Sequence, residues 1–232
     1  MLNKLRNAVY EANMALPKLG LVSFTWGNVS GINRKKGLIV IKPSGVAYSE
    51  LSPESMVVVN MDGEVVEGSF RPSVDTMAHL SLYKSFTGIS GIVHTHSPWA
   101  TVYAQAGKDI PAYGTTHADY FCGDIPCTRA LTDEEITGEY EKNTGLVIAE
   151  TFSYRGLCPA QMPAVIVKNH GPFTWGFSPS DAVNNAAVLE KAAHLAFHTR
   201  LLGGSKTETV SAILLKKHYD RKHGKNSTYG QG

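Results

Sequence analysis

Short runs of β-branched residues alternate with helical segments along this chain, and one pair of runs is joined by a two-residue turn. That pattern narrows the fold more than any other feature. Leu38 to Ile41, Met56 to Val59, Val65 with Val66, Gly91 to Thr95 and Ala164 to Val167 predict strands. Asp62-Gly63 between two of these runs predicts a hairpin. Helices are expected over Met1 to Leu21, Asp75 to Phe86, Pro98 to Gln105 and Asp181 to Leu202, and in a segment opened by Thr132 with Glu135 as a capping box. The long segment from Asp181 stops at Gly203-Gly204, a good helix terminator. A hairpin alongside interspersed helices argues for an α/β fold of three layers, α/β/α, around a mixed, largely antiparallel sheet.

At 232 residues the chain suits one domain, residues 1–232, and it contains neither an internal repeat nor a linker. Lys4, Arg6 and Glu11 interrupt the first helix, which therefore lacks the apolar core of a secretory signal. No run approaches the roughly 20 apolar residues that cross a bilayer, so no membrane role is expected. Three cysteines, an odd number without CxxC spacing, suggest neither a disulfide framework nor a thiolate zinc site, and a reducing cytoplasm is the simplest expectation. The net charge of +2 comes from interspersed signs and does not point to nucleic acid. A basic run, Lys216, Lys217, Arg221, Lys222 and His223, falls on one terminal helix and reads most simply as a solvated face.

Chemistry concentrates where apolar runs end. In Gly91-Ile92-Val93-His94-Thr95-His96 two histidines are two residues apart, and side chains at i and i+2 of a strand leave the same face. An isolated HxH is equally compatible with polar residues at a strand end. His170 closes another apolar run, with Gly171 after it to allow a sharp turn. Three histidines match the ligand count of a catalytic zinc site that keeps one position open. Nine histidines leave decoys, of which His79 is the most tempting because it lies one helical turn from Asp75. A helix-packing role is expected for it.

Taken in order, Leu21 to Ser30, Lys42-Pro43-Ser44-Gly45, His94-Thr95-His96, Gly114 to Phe121, Asn169 to Phe173, and the closing Lys222-His223-Gly224 with Tyr229-Gly230-Gln231 resemble the L-ribulose-5-phosphate 4-epimerases. These belong to the class II aldolase and adducin-head superfamily. The resemblance implies His94, His96 and His170 as ligands of zinc, with manganese or cobalt as substitutes, and Asp75 completing or adjoining that shell. Asp75 could equally serve as a helix cap. It also implies Gly27, Asn28, Ser44, Gly45 and Ser73 around the substrate phosphate, Asp119 and Tyr229 as proton-transfer groups, and Thr115 and His218 orienting them. A cyclic homotetramer with active sites between neighbouring subunits goes with the same resemblance. Val74 departs from the pattern, standing where these epimerases usually carry a second serine.

The implied reaction explains the parts. C4 of a 2-ketopentose phosphate is not adjacent to the carbonyl, so its hydrogen is not acidic, and inversion there calls for cleaving and re-forming the C3–C4 bond. A metal then stabilises the enediolate fragment, and two acid-base groups serve the two orientations of the C4 oxygen. Two rivals remain within the resemblance. One is an aldolase of the fuculose-phosphate type, against which Asp75 argues because related aldolases carry Glu there. The other is a noncatalytic adducin-head-like assembly module, a group that has lost the metal histidines.

Overall fold

The computed structural model describes residues 2–224 and residue 227. Seven strands form one sheet: β1 (Asn28–Asn33), β2 (Leu38–Ile41), β3 (Val57–Asn60), β4 (Val65–Glu67), β5 (Gly91–His94), β6 (Ala164–Ile166) and β7 (Pro172–Gly176). Their spatial order is β4-β3-β2-β1-β5-β7-β6. Every ladder between these strands is antiparallel. The α/β class holds, but the expected parallel component shrinks, among the described residues, to an isolated bridge between Cys127 and Ile166.

Alternation along the strands sends side chains to two faces, and helices cover both. On one face Ile32, Ile39, Val57, Val59 and Ile92 pack in a cluster with Leu80 and Leu82 of α2 (Thr76–Ser85) and Ile148 and Phe152 of α6 (Tyr140–Arg155). On the other, Val29 and Val93 meet α1 (Leu2–Lys18) and α7 (Pro179–Gly203) through Leu16 and Ala186, while Val9 of α1 packs with Val40 and Val58. Burying both faces of a sheet requires near-continuous apolar strands, which β2, β3 and β5 supply. The distal half of α7 lies against α3 (Pro98–Ala106), where Leu189, Ala193 and Ala196 join Ala100 and Ala104. Two short helices, α4 (Thr115–Ala118) and α5 (Asp133–Thr137), and the terminal α8 (Ala212–His223) complete the chain.

Two strands escape the sequence pattern. β1 contains Asn28, Gly31 and Asn33, all poor strand formers, and β7 opens on Pro172. Asn13, fully buried in α1, holds β1 in place by pairing its carboxamide with the Val29 amide at 2.9 Å and the Val29 carbonyl at 3.1 Å. The segment opened by Thr132 carries the expected reciprocal capping box but runs only to Thr137, and α6 begins afresh at Tyr140 after Gly138. No helix among the described residues is long and apolar enough to cross a membrane.

Candidate active site

The site gathers at one end of the sheet, where β1 begins, β5 ends and the β6–β7 turn lies alongside. In the ladders Asn28 stands opposite His94, and His94 opposite Phe173. Neighbouring strands thus bring together residues far apart in sequence. His94 is the last residue of its strand, while His96 and His170 sit on connecting turns, so only one of the three is a strand residue. Their potential ligand atoms nevertheless all lie within 4.8 Å of one another. Asn169, at φ +63, makes the turn that presents His170.

The protonation states suit a cation. Nδ1 of His94 is 3.0 Å from the carbonyl of Pro172, and since a carbonyl only accepts, Nδ1 carries the proton and Nε2 a lone pair. That Nε2 lies 3.2 Å from Nε2 of His96. Burial, followed by the neighbouring His94 and His96, pushes His170 down to about 3. Burial likewise lowers His96. Neutral imidazoles are the form that binds metal. Three converging nitrogen donors with an open side fit zinc in a catalytic arrangement.

Asp75 stands beside this group, not within it. Although it occupies the N-cap position of α2, its carboxylate makes no capping bond; it accepts from Nδ2 of Asn28 at 2.6 Å and from the Ser73 hydroxyl at 3.4 Å. Burial alone would raise its pKa, but the imidazoles of His94 and His79 together with the Asn28 bond outweigh it and hold Asp75 below its ordinary value. His79 plays the packing role expected of it: it is fully buried, and its Nδ1 meets the Ser30 hydroxyl at 2.7 Å.

A cavity of about 510 Å³ extends from the histidines past Asp75 to Gly27, Ser44 and Gly45. Gly27 has φ +74, and a Cβ there would lie 2.6 Å from Val22 and 3.0 Å from the His94 carbonyl, so only glycine fits between the first loop and β5. The backbone amides in this part of the cavity are only partly open to an anion. The amides of Ser44 and Ser73 already donate to the carbonyls of Arg71 and Lys42, at 2.9 and 3.0 Å. Asn28 spends its donors on Asp75 and, at 3.0 Å, on Ser73, leaving a buried Oδ1 without a partner among the described residues. Among the described residues, the amides of Gly27 and Gly45 and the Ser44 hydroxyl donate to no protein group and are left for an anion.

Lys42 lines the same cavity and was not among the expected site residues. It is 2% exposed, its Nζ donates to the Thr25 carbonyl at 3.1 Å, and burial lowers its pKa to about 8. A lysine closing an apolar strand immediately before Pro-Ser-Gly was the available signal. Tyr140 and Glu141 also line the cavity, brought there by the N-terminus of α6. Val74, 65% exposed, presents its side chain at the rim.

Thr115, Asp119 and His218 are not among the residues lining this cavity. They form a second group between α4 and α8: Asp119 accepts from the Arg221 guanidinium at 2.9 and 3.1 Å and lies 3.0 Å from Nδ1 of His218. Thr115 opens the helical turn that Asp119 closes, its carbonyl accepting the Asp119 amide at 2.9 Å. Burial would raise Asp119, yet Arg221 and His218 prevail and keep it a carboxylate. The basic run on α8 is therefore more than a solvated face, since Arg221 clamps Asp119 and Lys222 sits over the Tyr120 ring. Tyr229 lies outside the described residues.

Comparison with known proteins identifies the family. The model of the class II aldolase and adducin N-terminal domain matches residues 7–197. The chain is 55% identical over 230 residues to the L-ribulose-5-phosphate 4-epimerase UlaF of Salmonella paratyphi B, covering 99% of this chain and 100% of that one; the protein of the same name from Salmonella typhi matches equally well. Among solved structures an L-fuculose 1-phosphate aldolase superposes with a TM-score of 0.80 at 23% identity, covering 94% of this chain and 95% of the other, which speaks to the fold alone. Sequence and fold together place the chain in the class II aldolase and adducin family, within its L-ribulose-5-phosphate 4-epimerase group.

Proposed function

We propose that the chain is a metal-dependent 4-epimerase that interconverts L-ribulose 5-phosphate and D-xylulose 5-phosphate by breaking and re-forming C3–C4. The convergence of His94, His96 and His170 beside a cavity that a buried lysine also lines carries this reading. Those histidines would hold zinc, and Asp75, adjoining them, would orient Asn28 and the groups around it. A divalent cation bound there supplies Lewis acidity that stabilises negative charge developing on the ketose oxygens.

The chain's own groups do the rest. Lys42, Ser44 and Gly45 hold the phosphate; a lysine is an effective point charge for that purpose. The glycolaldehyde phosphate fragment, kept by its phosphate, can turn and offer its opposite face while the other fragment stays beside the histidines. A base takes the proton from the C4 hydroxyl as the C3–C4 electron pair moves to C3, and an acid returns a proton to the C4 oxygen once the bond re-forms on the other face. Asp119, kept ionised by Arg221 and His218, suits one of these tasks, and Tyr229 is assigned the other by resemblance.

Because Asp119 belongs to a different group of residues from the histidines, the proposal places the complete site between subunits of a homotetramer. Exposed apolar side chains near α8 support such contacts: Leu201 is 69%, Leu202 89% and Ile213 84% exposed. The test is conversion of L-ribulose 5-phosphate to D-xylulose 5-phosphate with simultaneous metal analysis. Chelation should abolish turnover reversibly, and His96→Asn should lose both metal and activity. Full metal content and a wild-type rate in His96→Asn would remove the proposed centre.

A further inference from the structure

The rings of metal-ligating histidines are held by what their second nitrogen touches. For His94 that partner is the Pro172 carbonyl, which fixes the tautomer without ambiguity. His170 lacks such support from a strand. It follows the left-handed Asn169 in a tight turn, with its amide donating to the Val167 carbonyl at 3.0 Å, so its backbone is set by the turn but its ring is not set by any ladder. The ring lies edge-on to His94, His96 and Phe173, and its Nδ1 meets Tyr140. The phenolic oxygen lies 3.2 Å from Nδ1 of His170, and the two rings stack with centroids 6.0 Å apart and planes at 26°.

Tyr140 is itself placed firmly. It is the first residue of α6, its carbonyl accepts the Thr144 hydroxyl at 2.9 Å, and α6 packs closely against α2, whose N-terminus carries Asp75. The direction of the Tyr140–His170 bond decides what His170 can do. With the phenol as donor, Nδ1 would be the lone-pair nitrogen and Nε2 would carry hydrogen, unable to bind a cation. With Nδ1 as donor, Nε2 is free, matching the tautomer that Pro172 imposes on His94.

We infer that Tyr140 is a positioning residue of the metal centre, accepting the Nδ1 proton of His170 and so holding its Nε2 toward the cation shared with His94 and His96. The inference rests on the metal reading of the three histidines. Tyr140→Phe keeps the stacked ring and removes only the acceptor oxygen. Outer-shell losses of this kind weaken metal binding by about 10- to 100-fold.

The experiment is a zinc titration of the wild-type protein and Tyr140→Phe against a competing chelator, with thermal unfolding of both metal-free proteins. In parallel, nitrogen NMR of the zinc-loaded proteins reads the protonation of the His170 nitrogens. A zinc dissociation constant raised at least tenfold in Tyr140→Phe, with an unchanged apo melting temperature and an Nδ1–H signal of His170 in the wild type, is expected. Equal zinc affinity in the two proteins, or a His170 protonated on Nε2 in the loaded wild type, would overturn the role of Tyr140 while leaving the centre intact. Failure of the wild-type protein to bind one zinc per chain would instead remove the centre itself, and the inference with it.

Discussion

Lys42 shows how burial can turn an ordinary residue into a site residue. Its ammonium lies among the carbonyls of Thr25 and Pro43, 5.0 Å from the centre of the Tyr48 ring, and loss of hydration brings its pKa to about 8. Below that pH it is charged and can pair with a phosphate dianion; above it the charge is lost. Because kcat/KM reports the free enzyme, kcat/KM should fall by one proton's slope as pH rises through about 8. Lys42→Met should lower it by about 10- to 100-fold, the worth of a charge-assisted hydrogen bond, and abolish that alkaline limb. An identical limb in Lys42→Met would assign it elsewhere. Val74 offers the complementary test: Val74→Ser adds a hydroxyl at the rim and should lower KM by about tenfold, whereas an unchanged KM would show that the phosphate does not reach that rim. At this scale the three histidines that converge were singled out by their places at the ends of apolar runs and by resemblance. Tyr140 and Arg221 could not be found that way, and Lys42 only through its place before Pro-Ser-Gly, because their importance comes from burial and from partners 30, 102 and 17 residues away in sequence.

Among the elements, the α2–α6 pair carries the most consequence for the site, since α2 starts beside Asp75 and α6 starts at Tyr140. Gly145 permits their contact. A Cβ there would stand 2.6 Å from the Ala78 carbonyl oxygen and 2.6 Å from the Ser81 Cβ, and neither can swing away. Gly145→Ala should therefore destabilise the protein by up to about 2 kcal/mol, an overpacking cost of about 1–3 kcal/mol less the roughly 1 kcal/mol that alanine offers a helix. Denaturant unfolding reads the loss, and zinc affinity should fall with it as Tyr140 is displaced. Stability equal to or above wild type would show that the helices separate easily. The strong helices and the Asp62-Gly63 hairpin were legible because periodicity and turn chemistry are local. β1 and β7 were not, since each owes its extended form to the strands on either side, and the break at Gly138 was hidden by a capping box that leads into only five helical residues.

For the whole molecule, the central fact is that one chain holds Asp119 and the three converging histidines in separate groups. Association of copies can join them in a closed ring, where each site takes residues from two neighbours. Asp119→Asn and His96→Asn should each be inactive alone. Mixed tetramers of the two should recover activity, because an intact Asp119 then faces an intact histidine group across an interface. Mixed tetramers that form yet remain as inactive as their parents would rule out the shared site. The layers followed from sequence patterning. A site shared between subunits came only from the resemblance, since spacing along a chain says nothing about which copy a residue serves.

Bond cleavage between C3 and C4 is the claim on which everything else depends, and running the reaction in D₂O tests it most directly. Cleavage and re-formation leave the hydrogen on C4 in place throughout, whereas removal and return of that hydrogen exchanges it with solvent. D-Xylulose 5-phosphate formed in D₂O should carry no deuterium at C4, with free glycolaldehyde phosphate far below product when trapped. Deuterium at C4 would contradict the cleavage mechanism. Stoichiometric free fragments without D-xylulose 5-phosphate would make the chain an aldolase.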